Sequence, residues 1–278
     1  MTTAPSVFCE GSYLLTHFLP ANEAATVFTE LLKELSFETM SSFGTPVPRL
    51  VCVQAAVETD GTRPIYRHPA DASPTTGPWT PLMQRLVDRI NAQLGTRLNH
   101  ALIQLYRSGA DNISEHSDKT LDLVPGSLIV NASFGAQRTM TLRWKQNKAL
   151  AEADTSKRKE NVQIKLPHNS LLVMNLDTNA AWTHAIRPDK RRTSERQPEE
   201  NAYDDQRISI TLREIGTFIT SDGHIYGSGA LAKDRQHAEP ASKNPVDWEQ
   251  LIIAFGKENR HTSVDWEFCY GKGSQAVH

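Results

Sequence analysis

Short β-rich runs separated by turn residues fill the chain between positions 100 and 214. Several of them alternate apolar and polar side chains with a period of two, as strands with one buried face do. Seven runs follow one another: HALIQLYRS, SLIVNASFG, RTMTLRWK, NVQIKLP, SLLVMNL, THAIRP and RISITLREI. So many short strands in one stretch predict a two-sheet β-structure, either a sandwich or a jelly roll.

Two amphipathic helices are predicted ahead of this β-region. Residues 21–35 place apolar side chains at helical spacing after Pro20, and residues 80–95 do so between Pro81 and Gly95. Proline in the first turn and glycine just past the last turn are typical helix boundaries. The chain is therefore expected to belong to the α+β class.

The remaining segments are more polar. Residues 146–161 and 187–206 are rich in charge and are predicted to be exposed, mobile loops between strands. Residues 217–278 form a polar tail with a helix predicted over 246–256. The sequence does not predict how this tail packs.

The composition excludes some classes of partner. The chain has 278 residues and a formal net charge of -2, so it is not a strongly basic nucleic-acid binder, although a local basic patch is compatible with this total. Cys9, Cys52 and Cys269 form no CxxC pair, and a reduced setting in the cytosol or nucleus is expected. No apolar run approaches the roughly 18–20 residues that cross a bilayer, so no membrane contact is expected.

The most specific chemical pattern is His116-Ser117-Asp118, followed at a distance by His184. Side chains two positions apart on a strand point to the same face, so His116 and Asp118 can converge on one ion, and a distant strand can add His184. Two imidazoles and one carboxylate form the facial triad of Fe(II) oxygenases, which leaves other coordination positions open. The alternative is a chance HxD in a solvated loop.

A second pattern follows His184 in the run RISITLR. Polar side chains occupy one face of this strand: Arg207, Ser209, Thr211 and Arg213. Two guanidinium groups there suit a dicarboxylate, which they can bind through charge-assisted hydrogen bonds. Gln104 and Tyr106 share a strand face just before the HxD and can also help to hold a carboxylate. The alternatives are an exposed edge strand for the first pattern and an ordinary sheet tyrosine for the second.

Taken together, the chain resembles the AlkB-like family of Fe(II)- and 2-oxoglutarate-dependent dioxygenases over roughly residues 13–230, and it is most similar to the animal branch that repairs alkylated DNA and RNA. The resemblance rests on these blocks: SFGTPVPR (42–49), PWTPLMQRLVDRIN (78–91), LIQLYRSGADNISEHSDK (102–119), PGSLIVNASFGAQR (125–138), LPHNSLLVMN (166–175), WTHAI (182–186) and RISITLR (207–213). It implies a double-stranded β-helix with a preceding nucleotide-recognition lid. It also implies Fe(II) as the cofactor, with 2-oxoglutarate and O2 as cosubstrates.

The resemblance implies a division of the chain and roles for its residues. Residues 1–98 would form the N-terminal helices and the lid, residues 99–216 the jelly-roll core, and residues 217–278 a C-terminal extension. The implied iron ligands are His116, Asp118 and His184. The implied 2-oxoglutarate site consists of Gln104, Tyr106, Arg207, Ser209 and Arg213, with Arg207 on the distal carboxylate and Arg213 near Asp118 and the carboxylate beside the iron.

The predicted substrate side of the site departs from the family pattern. Lys119 and Thr120 stand where repair members carry an acidic residue, and His68 replaces the second aromatic residue of a pair that begins with Tyr66. Phe43 aligns with a wedge that some members insert into the duplex, and is alternatively a core residue beside a turn. A set of cations either flanks the mouth of the site and meets phosphates, meets a small-molecule carboxylate, or is simply solvated: Arg49, Arg63, Arg67 and Lys119.

Three functions remain open from the sequence. The first is oxidative dealkylation of an N-alkylated base in DNA or RNA, which the overall resemblance favours. The second is the same chemistry on a small molecule in specialised metabolism, which Lys119, Thr120 and the near-neutral charge favour. The third is a metal-free binding module, against which the presence of every iron and cosubstrate position argues. The sequence does not predict the oligomeric state.

Overall fold

The secondary structure comes from a computed structural model, which describes residues 6–42, 44–70, 74–145, 161–263 and 265–277. The strands in these ranges are β1 (Ser6–Cys9), β2 (Ser12–Thr16), β3 (Glu38–Ser42), β4 (Thr45–Ala55), β5 (Arg63–Pro64), β6 (Thr76–Pro78), β7 (His100–Tyr106), β8 (Ile113–His116), β9 (Leu128–Gly135), β10 (Arg138–Trp144), β11 (Val162–Leu166), β12 (Ser170–Asn175), β13 (Trp182–Ile186), β14 (Arg207–Arg213), β15 (Thr217–Ile219), β16 (His224–Gly227) and β17 (Glu239–Pro240). The helices are α1 (Ala21–Glu34), α2 (Pro81–Leu94), α3 (Leu176–Ala181), α4 (Pro198–Asn201), α5 (Pro245–Arg260) and α6 (Trp266–Tyr270).

Two sheets face each other and form the jelly roll. The larger has the strand order β1-β2-β12-β9-β14-β7-β4-β3, with β6 beside β4, and the smaller has the order β11-β10-β13-β8. Apolar side chains from both sheets fill the space between them, among them Leu142, Leu172 and Ile186. All seven predicted strands are present. The two-sheet prediction is therefore confirmed.

Strand β14 shows how the period-two pattern separates the core from the site. Its apolar side chains, Ile208, Ile210 and Leu212, belong to the cluster that packs under α1 and α2. Its polar side chains point to the other face and line a cavity between the sheets. The alternative of an exposed edge strand is wrong, because β14 lies between β9 and β7 in the larger sheet.

Helices α1 and α2 cover the outer face of the larger sheet, and both agree with the predicted helices. Leu31 of α1 and Ile90 of α2 are almost fully buried there, and each contributes about 1.5–3 kcal/mol by leaving water. Helix α2 ends where Gly95 takes the left-handed backbone conformation, with φ 66°, which glycine adopts without steric cost. Within the described ranges, none of the helices combines the length and apolar character that a bilayer span requires.

The C-terminal extension packs against both the lid segment and the core. Strand β5 of the lid segment pairs with β15, and β15 and β16 continue this third sheet to β17. Arg67 forms a buried ion pair with Asp122, at 2.6 Å between Nη2 and Oδ1. The same guanidinium donates hydrogen bonds to the carbonyl oxygens of Ser274, Ala276 and Gly229. The domain boundaries at residues 98 and 216 stay predictions, but residues on the two sides of each boundary contact each other.

The charged segment 187–206 is exposed, as predicted, but it contains helical turns in place of an irregular loop. Arg196 pairs with Asp189 and Asp205, at 3.3 and 2.7 Å between the charged atoms. Tyr203 packs against Phe28 of α1, with 4.8 Å between the ring centres. The other charged segment lies outside the described residues, except for its last position.

We expect Arg67→Ala to lower the free energy of unfolding by about 3–5 kcal/mol, because it leaves the buried Asp122 carboxylate without its counter-charge. Urea unfolding followed by circular dichroism measures this change. Arg97→Ala is the matched control: Arg97 pairs with Glu214, but its side chain is 86% exposed, so its loss should cost under about 1 kcal/mol. Equal effects in the two variants would contradict a structural role for the Arg67 pair.

Candidate functional site

The three predicted metal ligands come together between the two sheets. His116 is the last residue of β8, and His184 lies opposite it in the register between β13 and β8. One ligand atom from each of His116, Asp118 and His184 lies within 4.8 Å of the other two. Asp118 itself lies two residues beyond the end of β8, so the expectation that it shares a strand face with His116 is wrong. The loop after the strand turns its carboxylate toward the imidazoles.

The charge states of these three residues suit a divalent metal. Burial lowers the pKa of His116 to about 3 and also lowers the pKa of His184. Although burial alone favours the protonated acid, Arg213 and the two imidazoles hold the pKa of Asp118 down at about 2. At neutral pH the site therefore offers two neutral imidazoles and one carboxylate, the forms in which these side chains bind metals.

Hydrogen bonds orient two of the ligands. Nδ1 of His116 lies 2.8 Å from the carbonyl oxygen of Ser114, so this nitrogen donates and leaves Nε2 available to a metal. Arg213 donates to Oδ2 of Asp118 from Nε and Nη2, at 3.0 and 2.8 Å. Oδ1 remains on the side of His116, 4.0 Å from its Nε2. Fixed outer partners of this kind hold metal ligands in position.

Asn179 on α3 also positions the loop that carries Asp118, which we call the metal loop. The sequence analysis did not select this residue. Its Oδ1 accepts the backbone N–H of Asp118, and its Nδ2 donates to the Asp118 carbonyl oxygen, both at 2.9 Å. Helix α3 immediately precedes β13, the strand that carries His184. A single buried asparagine in a short helix carries no local signal of this contact.

A buried guanidinium lies in the same cavity as the metal ligands. Arg207 is 1% exposed, and its Nη2 donates to Asn131 Oδ1 and Ser133 Oγ at 3.1 and 2.8 Å. Its Nε and Nη1, together with Nε2 of Gln104, have no hydrogen-bond partner among the residues that the structure describes. Buried donors without acceptors cost about 1–3 kcal/mol each. They indicate that an anionic ligand with oxygen acceptors belongs here.

Other predicted residues complete this anion pocket. Tyr106 places its ring against Arg207, with 5.3 Å between the guanidinium carbon and the ring centre, and its hydroxyl donates to Gln104 Oε1 at 3.4 Å. Ser209 lines the cavity and accepts from Asn131 Nδ2 at 2.8 Å. Burial lowers the pKa of Arg207 to about 10, so it remains a cation at neutral pH.

Asn131 and Ser133 of β9 are pocket residues that the sequence analysis did not select. Both face the interior of the jelly roll beside Arg207. The signal was available, because they alternate with apolar residues in the run LIVNASFG just as the polar residues of β14 do. With them, the cavity joins a metal site at one end to a cationic pocket at the other, an arrangement that fits a metal-bound dicarboxylate such as 2-oxoglutarate.

A second cavity, of about 480 Å³, opens on the other side of the metal ligands. Four of the five residues predicted to contact substrate line it: Arg49, Tyr66, His68 and Lys119. The fifth, Phe43, lies outside the described residues. The rings of Tyr66 and His68 stack on each other, with 5.5 Å between their centres and 16° between their planes. The structure thus places the predicted lid residues in the same cavity as the metal ligands His116 and Asp118.

Three of the four cations predicted at the mouth have partners within the protein. Arg49 donates to the carbonyl oxygen of Asn112 at 3.0 Å, and Lys119 Nζ donates to the carbonyl oxygen of Ser117 at 3.1 Å. Arg67 is buried in its ion pair with Asp122, so the interpretation that it meets phosphates is wrong. Arg63 borders a different cavity, of about 640 Å³.

Tyr66 is held in place by the metal loop. Its hydroxyl oxygen accepts the backbone N–H of Lys119 at 2.8 Å. The guanidinium carbon of Arg213 lies 4.1 Å from its ring centre, within the range of a cation–π contact. Tyr66 therefore forms a fixed wall of the substrate cavity.

The family model for the "2OG-Fe(II) oxygenase superfamily" matches residues 11–213, which include every metal and anion-pocket residue described above. The chain belongs to this family. Its 2-oxoglutarate- and Fe(II)-dependent oxygenase class agrees with the chemistry of the residues that the two sheets bring together.

Curated proteins with similar sequences have AlkB-type names. "DNA oxidative demethylase ALKBH2" of Mus musculus is 35% identical over 141 residues, 51% of this chain and 53% of that protein. The protein of the same name in Homo sapiens is 38% identical over 109 residues, 39% of this chain and 41% of that protein. "Alpha-ketoglutarate-dependent dioxygenase alkB homolog 3" of Homo sapiens is 32% identical over 137 residues, 49% of this chain and 43% of that protein.

These matches are partial, and the chain spans about half the length of the curated relatives that it matches. The solved structure titled "The structure of OsALKBH1" aligns with 76% of this chain and 100% of its own, with a TM-score of 0.50 and 13% identity. That likeness concerns the fold alone. The predicted AlkB-like membership, the jelly-roll fold class and the family's Fe(II) and 2-oxoglutarate requirement are confirmed.

A buried histidine beside the site predicts a pH dependence of stability. His100 is 4% exposed, and burial lowers its pKa to about 3, whereas an unfolded histidine titrates near 6.5. Below about pH 6.5 His100 is therefore protonated in the unfolded chain but stays neutral in the folded chain. The stability that this residue contributes is complete above that pH and falls by up to about 1.4 kcal/mol per pH unit as the pH drops toward 3.

We expect His100→Gln to flatten the pH dependence of unfolding in the metal-free protein by about this slope between pH 6 and 4.5. Urea unfolding at closely spaced pH values gives the two profiles. Parallel profiles for the variant and the wild type would contradict the prediction.

Proposed function

We propose that this chain is an Fe(II)- and 2-oxoglutarate-dependent dioxygenase that oxidises an N-alkyl group on a nucleic-acid base. The main support for the reaction class is a single cavity lined both by the three closely spaced metal ligands and by the unpaired donors of Arg207. The support for the substrate is the pair of relatives named DNA oxidative demethylases. The base would bind in the second cavity, which lies between the metal ligands and the lid residues.

When bound, Fe(II) with 2-oxoglutarate and O2 supplies the oxidant that converts a substrate C–H to an alcohol, with succinate and CO2 as coproducts. If the hydroxylated carbon comes from an N-methyl group, its hydroxyl loses a proton, the C–N bond breaks with the electron pair going to the nitrogen, and formaldehyde leaves the restored base. His116, Asp118 and His184 would hold the metal. The protein contributes binding, orientation and exclusion of water.

The anion pocket orients the cosubstrate. Nε and Nη1 of Arg207 point in different directions and have no partner among the described residues, so each can donate to an oxygen of a ligand, while Nη2 donates to Asn131 and Ser133. Charge-assisted hydrogen bonds from a guanidinium held in this way can position one carboxylate of a dicarboxylate. The opposite carboxylate is then presented toward the metal ligands, where Arg213 maintains Asp118 as an anion.

The substrate cavity would exclude water from the reacting carbon. Apolar side chains form much of its wall, including Met40, Val47 and Ile113. Tyr66 and His68 present stacked rings at its border, and burial lowers the pKa of His68 to about 4, so this ring is uncharged at neutral pH. A neutral aromatic wall suits a planar base, whose faces are apolar and whose edges carry the hydrogen-bonding groups.

We expect the wild-type protein to release formaldehyde from a single-stranded oligonucleotide that carries an N-methylated base, with one succinate formed for each formaldehyde. Asp118→Asn and Asp118→Ala should abolish both products, because they remove an anionic metal ligand. The asparagine variant keeps the volume of the side chain, and circular dichroism checks that Arg213 without its partner does not unfold the chain. Succinate formation by wild type without any formaldehyde would reject this substrate but retain the reaction class.

Arg207→Ala should chiefly raise the KM for 2-oxoglutarate, by about 100-fold or more, because buried charge-assisted hydrogen bonds from this guanidinium contribute about 3 kcal/mol. Measuring succinate against the cosubstrate concentration tests this. Arg143→Ala on β10 is the control, since that guanidinium is about half exposed and pairs only with Glu115 at 3.4 Å among the described residues. An unchanged KM in Arg207→Ala would refute the assignment.

Oxidation of a small heterocyclic molecule is a second candidate for the substrate. It is favoured by the way in which Arg49, Arg67 and Lys119 are bound by the protein, since cations with internal partners are poorly placed to meet backbone phosphates. Formaldehyde release from a free N-methylated nucleoside at the same kcat/KM as from the oligonucleotide would favour this candidate. A strong preference for the oligonucleotide, lost as salt rises, would favour nucleic acid.

A further inference from the structure

Helix α5 of the C-terminal extension forms one wall of the substrate cavity. Four of its residues line the cavity: Ile252, Phe255, Gly256 and Asn259. Positions 252, 256 and 259 follow the spacing i, i+4, i+7, so they share one face of the helix. This helix lies beyond residue 213, where the match to the family model ends. The cavity wall is therefore a feature of this chain that the family match does not include.

Gly256 leaves room in the cavity without being required by packing. A Cβ built on it would meet one atom within 4 Å, Nη2 of Arg260 at 3.8 Å, which is ordinary van der Waals contact. Glycine is also less favourable than alanine inside a helix. Neither backbone conformation nor neighbouring atoms explain a glycine at this position. The missing side chain enlarges the cavity beside the metal ligands.

Asn259 presents hydrogen-bond donors at the same wall. Its Oδ1 accepts from Lys119 Nζ and from Ser117 Oγ, the latter at 3.1 Å. An ammonium group can only donate, so the carbonyl side of the amide must face Lys119. The amide N–H groups are then the donors that remain on this cavity-lining residue. Their natural partners are a carbonyl oxygen or an unprotonated ring nitrogen.

The wall is held rigidly against the metal loop. Glu258 is fully buried, and its carboxylate accepts the backbone N–H of Thr120 at 2.9 Å and the hydroxyl of Tyr270. Phe255 packs against Tyr270, with 6.0 Å between the ring centres. These buried contacts anchor α5 to the loop that carries Asp118, and a residue that sets specificity requires such a well-supported position.

We propose that α5 determines substrate specificity, with Gly256 providing the space for the base and Asn259 donating a hydrogen bond to an acceptor on the edge of the base. This inference rests on the proposed function. The class of ligand is a planar heterocycle with a carbonyl oxygen or imine-type nitrogen on the edge that faces α5. A purine needs more of the space beside Gly256 than a pyrimidine does.

The space is tested with Gly256→Ala and Gly256→Leu on two single-stranded oligonucleotides, one with N1-methyladenine and one with N3-methylcytosine. We expect kcat/KM to fall in the order wild type, alanine, leucine. The loss in the leucine variant should be about ten-fold larger for the purine, which corresponds to about 1.4 kcal/mol. Substrate-free conversion of 2-oxoglutarate to succinate and the unfolding temperature should not fall. Ile253→Ala, on the exposed face of the same helix, should leave every value unchanged.

The hydrogen bond is tested with Asn259→Asp, which keeps the oxygen acceptor for Lys119 and Ser117 but removes both N–H donors. If Asn259 contacts the base, this variant raises KM for both oligonucleotides by about ten-fold or more. If Asn259 serves only to hold Lys119, the aspartate variant keeps the wild-type KM, and the donor role is refuted.

The two levels of the proposal fail in different ways. Wild-type formaldehyde release together with full activity on both bases in Gly256→Leu would overturn the specificity role of α5 and leave the proposed function in place. No formaldehyde from wild type on either oligonucleotide would overturn the proposed function and, with it, the assignment of α5 to a base.

Discussion

The ion pair between Asp118 and Arg213 is the interaction on which the site depends. Both side chains are almost completely buried, where an isolated carboxylate would take up a proton and cease to be a metal ligand. Arg213 prevents this and holds one oxygen, so the other remains directed toward His116. Because Arg213 ends β14 and packs on Tyr66, the same contact joins the central strand, the metal loop and the lid.

The C-terminal extension reaches this loop from the other side. Glu258 accepts the N–H of Thr120, and Asn259 accepts from Lys119 and Ser117, so α5 contacts the residues that flank Asp118. The wall of the substrate cavity therefore contacts the loop that carries the metal ligand Asp118.

Unpaired donors are concentrated where a cosubstrate would lie. Nε and Nη1 of Arg207 and Nε2 of Gln104 line one cavity and lack partners in the part of the chain that the structure describes. Burying such groups is unfavourable in the free protein, and a dicarboxylate would relieve the cost by accepting their hydrogen bonds. Binding of ligand and stability of the core are thus expected to be linked.

The sequence alone determined the features that depend on local pattern. Period-two alternation located the strands, proline and glycine located the ends of α2, and the HxD with His184 and Arg207 located the metal and anion chemistry, because each of these signals lies within a few residues of one strand or helix. Only the tertiary structure decided where Asp118 turns, that Asn179 and Asn131 belong to the site, and that Lys119 and Arg67 are buried against the protein. Those outcomes depend on contacts between segments far apart in the chain. Helix α5 is the clearest example, because its mixed polarity in the sequence is typical of a solvated tail. Only the packing of Phe255 and the hydrogen bond of Glu258 place it against the metal loop.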